Sequence, residues 1–259
     1  MNKVSILFLA LLMAGVLHSE EAHSQSRQFS VGAGLTSAAV IDEGFSPLSF
    51  SGVQRFGTLS YSSVDSRKEN TWLLGYASGS LQNRHGRNLY VRSISLLALT
   101  FYPPRGDSGL QWGWANGNQF NTRTIAGFGN YTFRADGFTA FGPAAKYATD
   151  FRLLNQDFSF QAVGHVQLIG FYIPSGYVSS LPRGFVFEPG GYLSSVLRSA
   201  FLFYPGSAVN LGLLPELQWQ LGDTSSLGFT YAYDYASFRN IHRSTRSQGN
   251  YTLSLNVDL

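Results

Sequence analysis

Residues 251–259, YTLSLNVDL, alternate apolar and polar side chains without interruption. Tyr251, Leu253, Leu255, Val257 and Leu259 share one face, and Thr252, Ser254, Asn256 and Asp258 share the other. A strand repeats every two residues, so such a segment must lie between an apolar and a polar environment. Two further segments repeat the pattern. In LLPELQWQL, residues 213–221, Leu213, Pro215, Leu217, Trp219 and Leu221 oppose Leu214, Glu216, Gln218 and Gln220. In SLGFTYAYDY, residues 226–235, Leu227, Phe229, Tyr231, Tyr233 and Tyr235 oppose Gly228, Thr230, Ala232 and Asp234.

Earlier segments alternate less cleanly. Residues 157–172 place Phe158, Phe160, Val166, Leu168 and Tyr172 opposite Gln161, His165 and Gln167. Residues 141–153 place Phe141, Tyr147, Phe151 and Leu153 opposite Lys146, Asp150 and Arg152. Further strands are expected over 28–40, 50–63, 71–81, 89–102, 109–116, 125–133 and 192–204. Short Gly/Asp/Pro/Asn/Ser connections, GDTS, PRGDSG, RADG, NQD and PGS, separate the strands, with longer polar loops at VDSRKENT, LQNRHGRN and SFRNIHRSTRSQGN. No helical period or domain boundary appears. The expectation is one all-β unit over residues 25–259 with about 12 antiparallel strands, 10 or 14 being open. Pro143 and Pro215 remove backbone donors inside expected strands, so each should mark a bulge or break.

Composition decides the two environments. Charged residues are 13% of the chain, aromatic residues 15%, and glycine contributes 28 residues. A soluble β-sandwich alternates too, but its outer face carries Lys, Glu and Arg, whereas the polar faces here are mostly Gly, Ser, Thr, Ala, Gln and Asn. Such a face suits a narrow enclosed lumen, and the Leu, Phe, Tyr and Trp face then meets lipid. A strand of nine or ten residues spans about 31 Å, or ~22 Å along the membrane normal at a tilt near 45°, close to the apolar band of a membrane barrel. Trp72, Trp112, Trp114, Trp219, Tyr235 and Tyr251 are placed to form interfacial girdles. Ahead of the strands, MNK and the apolar residues 4–17, followed by Ala22, His23 and Ser24, read as a secretory leader over residues 1–24. The absence of cysteine excludes a lipoprotein anchor and disulfides.

On these features the chain resembles the bacterial outer-membrane β-barrel class. The resemblance implies an outer-membrane location after leader cleavage, contact with outer-membrane lipids and lipopolysaccharide, and a terminal strand, Tyr251 to Leu259, read by the barrel-assembly machinery. That signal ordinarily ends in Phe or Trp, and this chain ends in Leu259.

Chemistry is sparse. Lys146, Asp150, Arg152, Gln161, His165, Gln167, Arg198, Glu216, Gln218, Gln220 and Asp234 are expected on the lumen face, where three cations and three anions should pair locally. His165 is expected as a hydrogen-bonded interior histidine. His242-Arg243-Ser244 superficially resembles the His-x-Ser of an outer-membrane phospholipase, but no third group to orient the base can be named. Arg84, His85, Arg87, Arg239, His242, Arg243 and Arg246 gather in two loops and could meet lipopolysaccharide phosphates. The sequons at Asn130 and Asn250 and the glycines around Gly127 and Gly129 read as strand features. No zinc spacing, phosphate loop or dinucleotide fingerprint occurs, so no metal, cofactor or nucleic-acid partner is expected. The reading is a non-enzymatic barrel, either a narrow pore for small solutes or a structural or accessory subunit with a possible protein partner in the same membrane. The alternatives are a lipid A or phospholipid hydrolase or acyltransferase, and a secreted soluble β-protein.

Overall fold

The computed structural model describes residues 26–43, 46–103, 109–125, 133–173, 200–239 and 243–259. The leader, the sequon at Asn130, Gly127, Gly129, Arg198 and His242 lie outside them. The strands are β1 (Ser26–Asp42), β2 (Ser46–Val64), β3 (Glu69–Gln82), β4 (Asn88–Phe101), β5 (Leu110–Ile125), β6 (Phe133–Leu153), β7 (Gln156–Gln167), β8 (Ile169–Ile173), β9 (Phe201–Phe203), β10 (Ala208–Gly222), β11 (Ser225–Arg239) and β12 (Arg243–Asp258). Ten of these twelve close an antiparallel ring, β1 to β7 and then β10 to β12, with β12 returning to β1. The C-terminal strand is thus the closing strand, paired with β1 from Gln28↔Asp258 to Asp42↔Ser244.

The two strands outside the ring are continuations of their neighbours. β7 pairs with β6 over Ala144–Leu153, and β8 pairs with the next stretch of β6, Gly137–Phe141. Only Leu168 intervenes, its N–H donating to the Phe141 carbonyl at 2.9 Å. β9 pairs with β8 just as β10 pairs with β7, and residues 204–207 bulge out between them. The barrel is therefore a meander in which sequence neighbours are spatial neighbours. Pro143 sits where β6 passes from pairing with β7 to pairing with β8, and the β10–β11 ladder is interrupted at Leu214 and Pro215. Both prolines thus occupy breaks, where a missing donor costs no ladder bond.

Two local expectations are corrected. Residues 134–137, RADG, lie inside β6 rather than in a turn, because Asp136 is held inside the barrel by partners on β5. The expected strand over 125–133 falls on residues 126–132, outside the described residues; Ile125 ends β5 and Phe133 begins β6. Arg243 and Arg246 belong to β12, so the loop between β11 and β12 is confined to residues 240–242. The interval 102–109 and the tight turns at 65–68, 154–155 and 223–224 lie at the end that carries Ser26 and Leu259, here termed the terminal end. One of them is shaped by Asp65, whose carboxylate accepts the N–H groups of Arg67 and Lys68 at 2.6 and 2.8 Å. Those two bonds hold its carboxyl below the usual range. The opposite, distal end carries the turn at 83–87 and the interval 174–200, the longest between consecutive strands.

The outer wall is an apolar belt. Val31, Leu59, Leu213, Leu217, Phe229, Leu253 and Leu255 are all exposed on it, and Trp112 reaches 65% exposure. Phe151, Phe158 and Trp219 stack in series near the terminal end, as do Tyr61 and Trp72. A continuous apolar belt outside and a polar interior invert the arrangement of a water-soluble protein, and they match a strand barrel in lipid. Leu253→Arg, placing a charge in that belt, is expected to destabilise the barrel by about 2–4 kcal/mol in urea titrations in bilayers. Thr252→Arg, on the inward face of the same strand, tests whether the effect depends on the side of the wall.

Candidate functional site

The lumen has two zones. From the terminal mouth, between Arg27, Val64 and Asp258, a chamber of about 390 Å³ runs to mid-barrel and ends beneath Gln119, Phe138 and Arg246. β1 to β4 line one side of it with hydroxyls, among them Ser30, Thr58, Ser60 and Ser95, while amides and charges of β7 and β10 to β12 line the other. Strand alternation places each of these on the inward face opposite an exposed apolar neighbour.

Lys146, Asp150, Gln161, His165, Gln167, Glu216, Gln218 and Asp234 all line this chamber. Arg152 and Gln220 do not. Both share the inward register, but β6 and β10 run past the chamber to the terminal rim, where solvent reaches both faces. There Arg152 Nε pairs with Asp157 Oδ1 at 2.9 Å, and Gln220 Nε2 donates to the Gly222 carbonyl at 2.6 Å. Ion pairing also differs from expectation. Lys146 Nζ meets Glu69 Oε1 at 2.6 Å, across the lumen on β3. Glu216 instead accepts from Gln161 Nε2 at 2.9 Å and from Gln218 Nε2 at 2.8 Å.

His165 is 5% exposed, and neither ring nitrogen has a hydrogen-bond partner among the described residues. The expected hydrogen-bonded histidine is therefore not found. Its ring occupies space left by Gly212: a Cβ there would collide with His165 Nε2 and approach Asp234 Oδ1 to 3.1 Å. Gly212 pairs with His165 on one side and Asp234 on the other, so the row His165–Gly212–Asp234 forms one wall beneath the chamber roof. A nucleophile–base dyad requires a hydroxyl bonded to the ring. Ser and Thr hydroxyls of the described residues make no such bond to His165.

Above the chamber the lumen is filled. Arg123 on β5 donates from Nη1 to Asp42 Oδ2 on β1 at 2.6 Å, and its Nη2 lies 3.0 Å from Asp136 Oδ2 on β6. Asn121 Nδ2 donates to Asp136 Oδ1 at 2.8 Å, and Ser93 and Gln119 both donate to Asn121 Oδ1. From β12, Arg246 Nη1 reaches the same Asn121 oxygen at 3.3 Å. In a ten-membered ring β1 and β12 stand opposite β6 and β5, so these bonds cross the barrel directly. Two apolar clusters flank the charges. Val40, Phe50, Leu81, Leu89, Val91 and Ile125 pack on one wall, and Tyr172, Phe203, Ala236 and Phe238 on the other. Phe238 stacks on Tyr172 at 4.3 Å and meets Phe138 at 5.4 Å.

None of Asp42, Asn121, Arg123 and Asp136 was expected at a site. Their signal was present in Gln119, Asn121 and Arg123, which alternate with Phe120, Thr122 and Thr124, but the expected strand stopped at residue 116.

No protein-family profile matches the chain, and no curated protein matches it. Solved structures similar to it include the outer membrane protease OmpT from Escherichia coli, at 8% identity over 93% of this chain and 99% of that one, with a TM-score of 0.47. Neisserial surface protein A matches at 12% identity over 88% and 96%, with a TM-score of 0.36. The Pseudomonas putida (P. putida) toluene transporter TodX matches at 10% identity over 91% and 90%, with a TM-score of 0.37. The closed ring and its apolar outer belt are those of an outer-membrane β-barrel.

Proposed function

We propose that the chain is a non-enzymatic integral barrel of the bacterial outer membrane that serves as a structural or accessory subunit and does not conduct in its resting state. The observation that carries this reading is the set of bonds across the distal lumen, Arg123 to Asp42 and Arg246 to Asn121. A permeable pore needs a continuous polar path, and side chains from opposite walls occupy it here. The longest interval between strands, residues 174–200, lies at the distal end, which favours an orientation with the terminal end in the periplasm. The chamber then opens to the periplasm and is blind toward the outside. The exposed apolar face of β12 is suited to the assembly machinery, and the leader to export.

A gated pore is the second reading, favoured by the chamber, which already crosses half of the lumen. A lipid-modifying enzyme would use His165 or His242. Membrane lipids from cells expressing the wild type and the His165→Ala and His242→Ala variants should be identical. Histidine-dependent deacylation would refute the non-enzymatic reading. Fractionation with heat-modifiable gel mobility tests the location, and release of the chain into the periplasm would overturn it.

A further inference from the structure

Two arginines stand on the wrong side of the wall. Register pairs Leu35 with Arg55, Arg55 with Ser78, Ser78 with Arg92, and Arg92 with Thr122, a single row across β1 to β5. Leu35 faces outward at 54% exposure, so the whole row faces outward, and Arg55 and Arg92 are both exposed. Between the two rims, they are the charged side chains on the outer face among the described residues. A charge on that face is unfavourable in hydrocarbon and must find an anionic partner or a headgroup layer.

Their height fits the second condition. Arg55 lies nine residues above Val64 and Arg92 nine above Phe101, the terminal ends of their strands. At ~3.3 Å per residue and a tilt near 40°, that is about 23 Å along the normal, the upper edge of a ~25 Å apolar band. The outward row below, Gly57, Tyr76, Ile94 and Phe120, is apolar. Of the outward positions above, Ser37, Ser51, Ser80 and Thr124 are small and polar, while Val53 and Tyr90 are exposed there as well.

The two arginines also converge. One strand separates β2 from β4, so their backbones are about 10 Å apart, with Ser78 between them. Tyr90 Oη lies 3.2 Å from Ser78 Oγ, and the Arg92 guanidinium sits 5.3 Å from the Tyr90 ring centre, which steadies it on the wall. Below Arg55, Ala33 and Gly57 are paired small residues, and a Cβ on Gly57 would meet nothing nearer than 3.9 Å. Together these features make a shallow notch in the belt, roofed by two guanidinium groups.

We infer that Arg55, Ser78, Tyr90 and Arg92 bind a phosphate of lipopolysaccharide, with an acyl chain of the same lipid lying in the Ala33–Gly57 notch. Guanidinium groups suit phosphate oxygens because they donate in a planar fork. The assignment of the outer-leaflet lipid rests on the orientation proposed above.

The test uses the full chain, refolded in detergent, with bis-phosphorylated lipid A as probe and native mass spectrometry as readout. Wild type should retain lipid A, and R55Q/R92Q should lower the bound fraction at least tenfold. R55K/R92K should retain most of it, and R67Q, in a terminal turn, should match wild type. Equal retention by R55Q/R92Q would overturn the inference, as would equal binding of dephosphorylated lipid A. Phosphatidylglycerol binding as tightly as lipid A would overturn the choice of lipid. Heat-modifiable mobility of the same samples reports separately on the barrel: folded protein that ignores lipid A sinks this inference alone.

Discussion

Arg123→Met is expected to lower the unfolding free energy by about 3–5 kcal/mol, the range for removing one partner of a buried ion pair. Arg123 and Asp136 are each 4% exposed, and the Asp42 side chain is 14% exposed. Without the guanidinium, the carboxylates of Asp42 and Asp136 lose the cation that lies between them, while Asn121 still donates to Asp136 and Arg246 lies close by. The loss should therefore come from uncompensated charge rather than from volume, since methionine fills much of the space. Adding Asp42→Asn and Asp136→Asn to Arg123→Met should recover a large part of the loss. Urea titrations of the single and triple variants in vesicles would show it; equal instability of the two would mean that packing, not charge, holds the site.

Phe238→Ala is expected to cost about 3–5 kcal/mol, the range for truncating a buried aromatic. Its ring touches Tyr172, Phe138 and Phe203, so the change removes the centre of the aromatic cluster on one distal wall. These three neighbours sit on three strands, β6, β8 and β9, and collapse into the void is limited by the ring's closure. The variant should thus be both less stable and leakier than the wild type. Phe238→Leu, which keeps apolar volume, should recover part of the stability, and a leak from Phe238→Ala without any loss of stability would show that the cluster gates without supporting the fold.

The wall was legible in the sequence and the closure was not, for one physical reason. Lipid-facing residues obey a solvent rule that each strand satisfies alone, so Leu253, Phe229 and Leu217 reveal their face through local alternation. Lumen contacts depend on which strands stand opposite one another, and a period of two carries no information about that. Lys146 was placed by its register, yet its partner Glu69 lies three strands away in the ring. Arg246 looked like part of a polar loop because its neighbours are Arg, Ser and Thr, although β12 carries it inward to Asn121. RADG resembled a turn for the same reason: local turn chemistry is strong, but the buried partners of Asp136 outweigh it. The prolines were better guides, since a missing donor limits a strand wherever its partners lie.

Conductance of the refolded full chain in planar bilayers tests the central claim most directly. Wild type is expected to insert without steady channels, while Phe238→Ala opens measurable ones. Stable ion-conducting channels from the wild type at low voltage would contradict the account, because the bonds from Arg123 and Arg246 could not then span the lumen in the resting barrel.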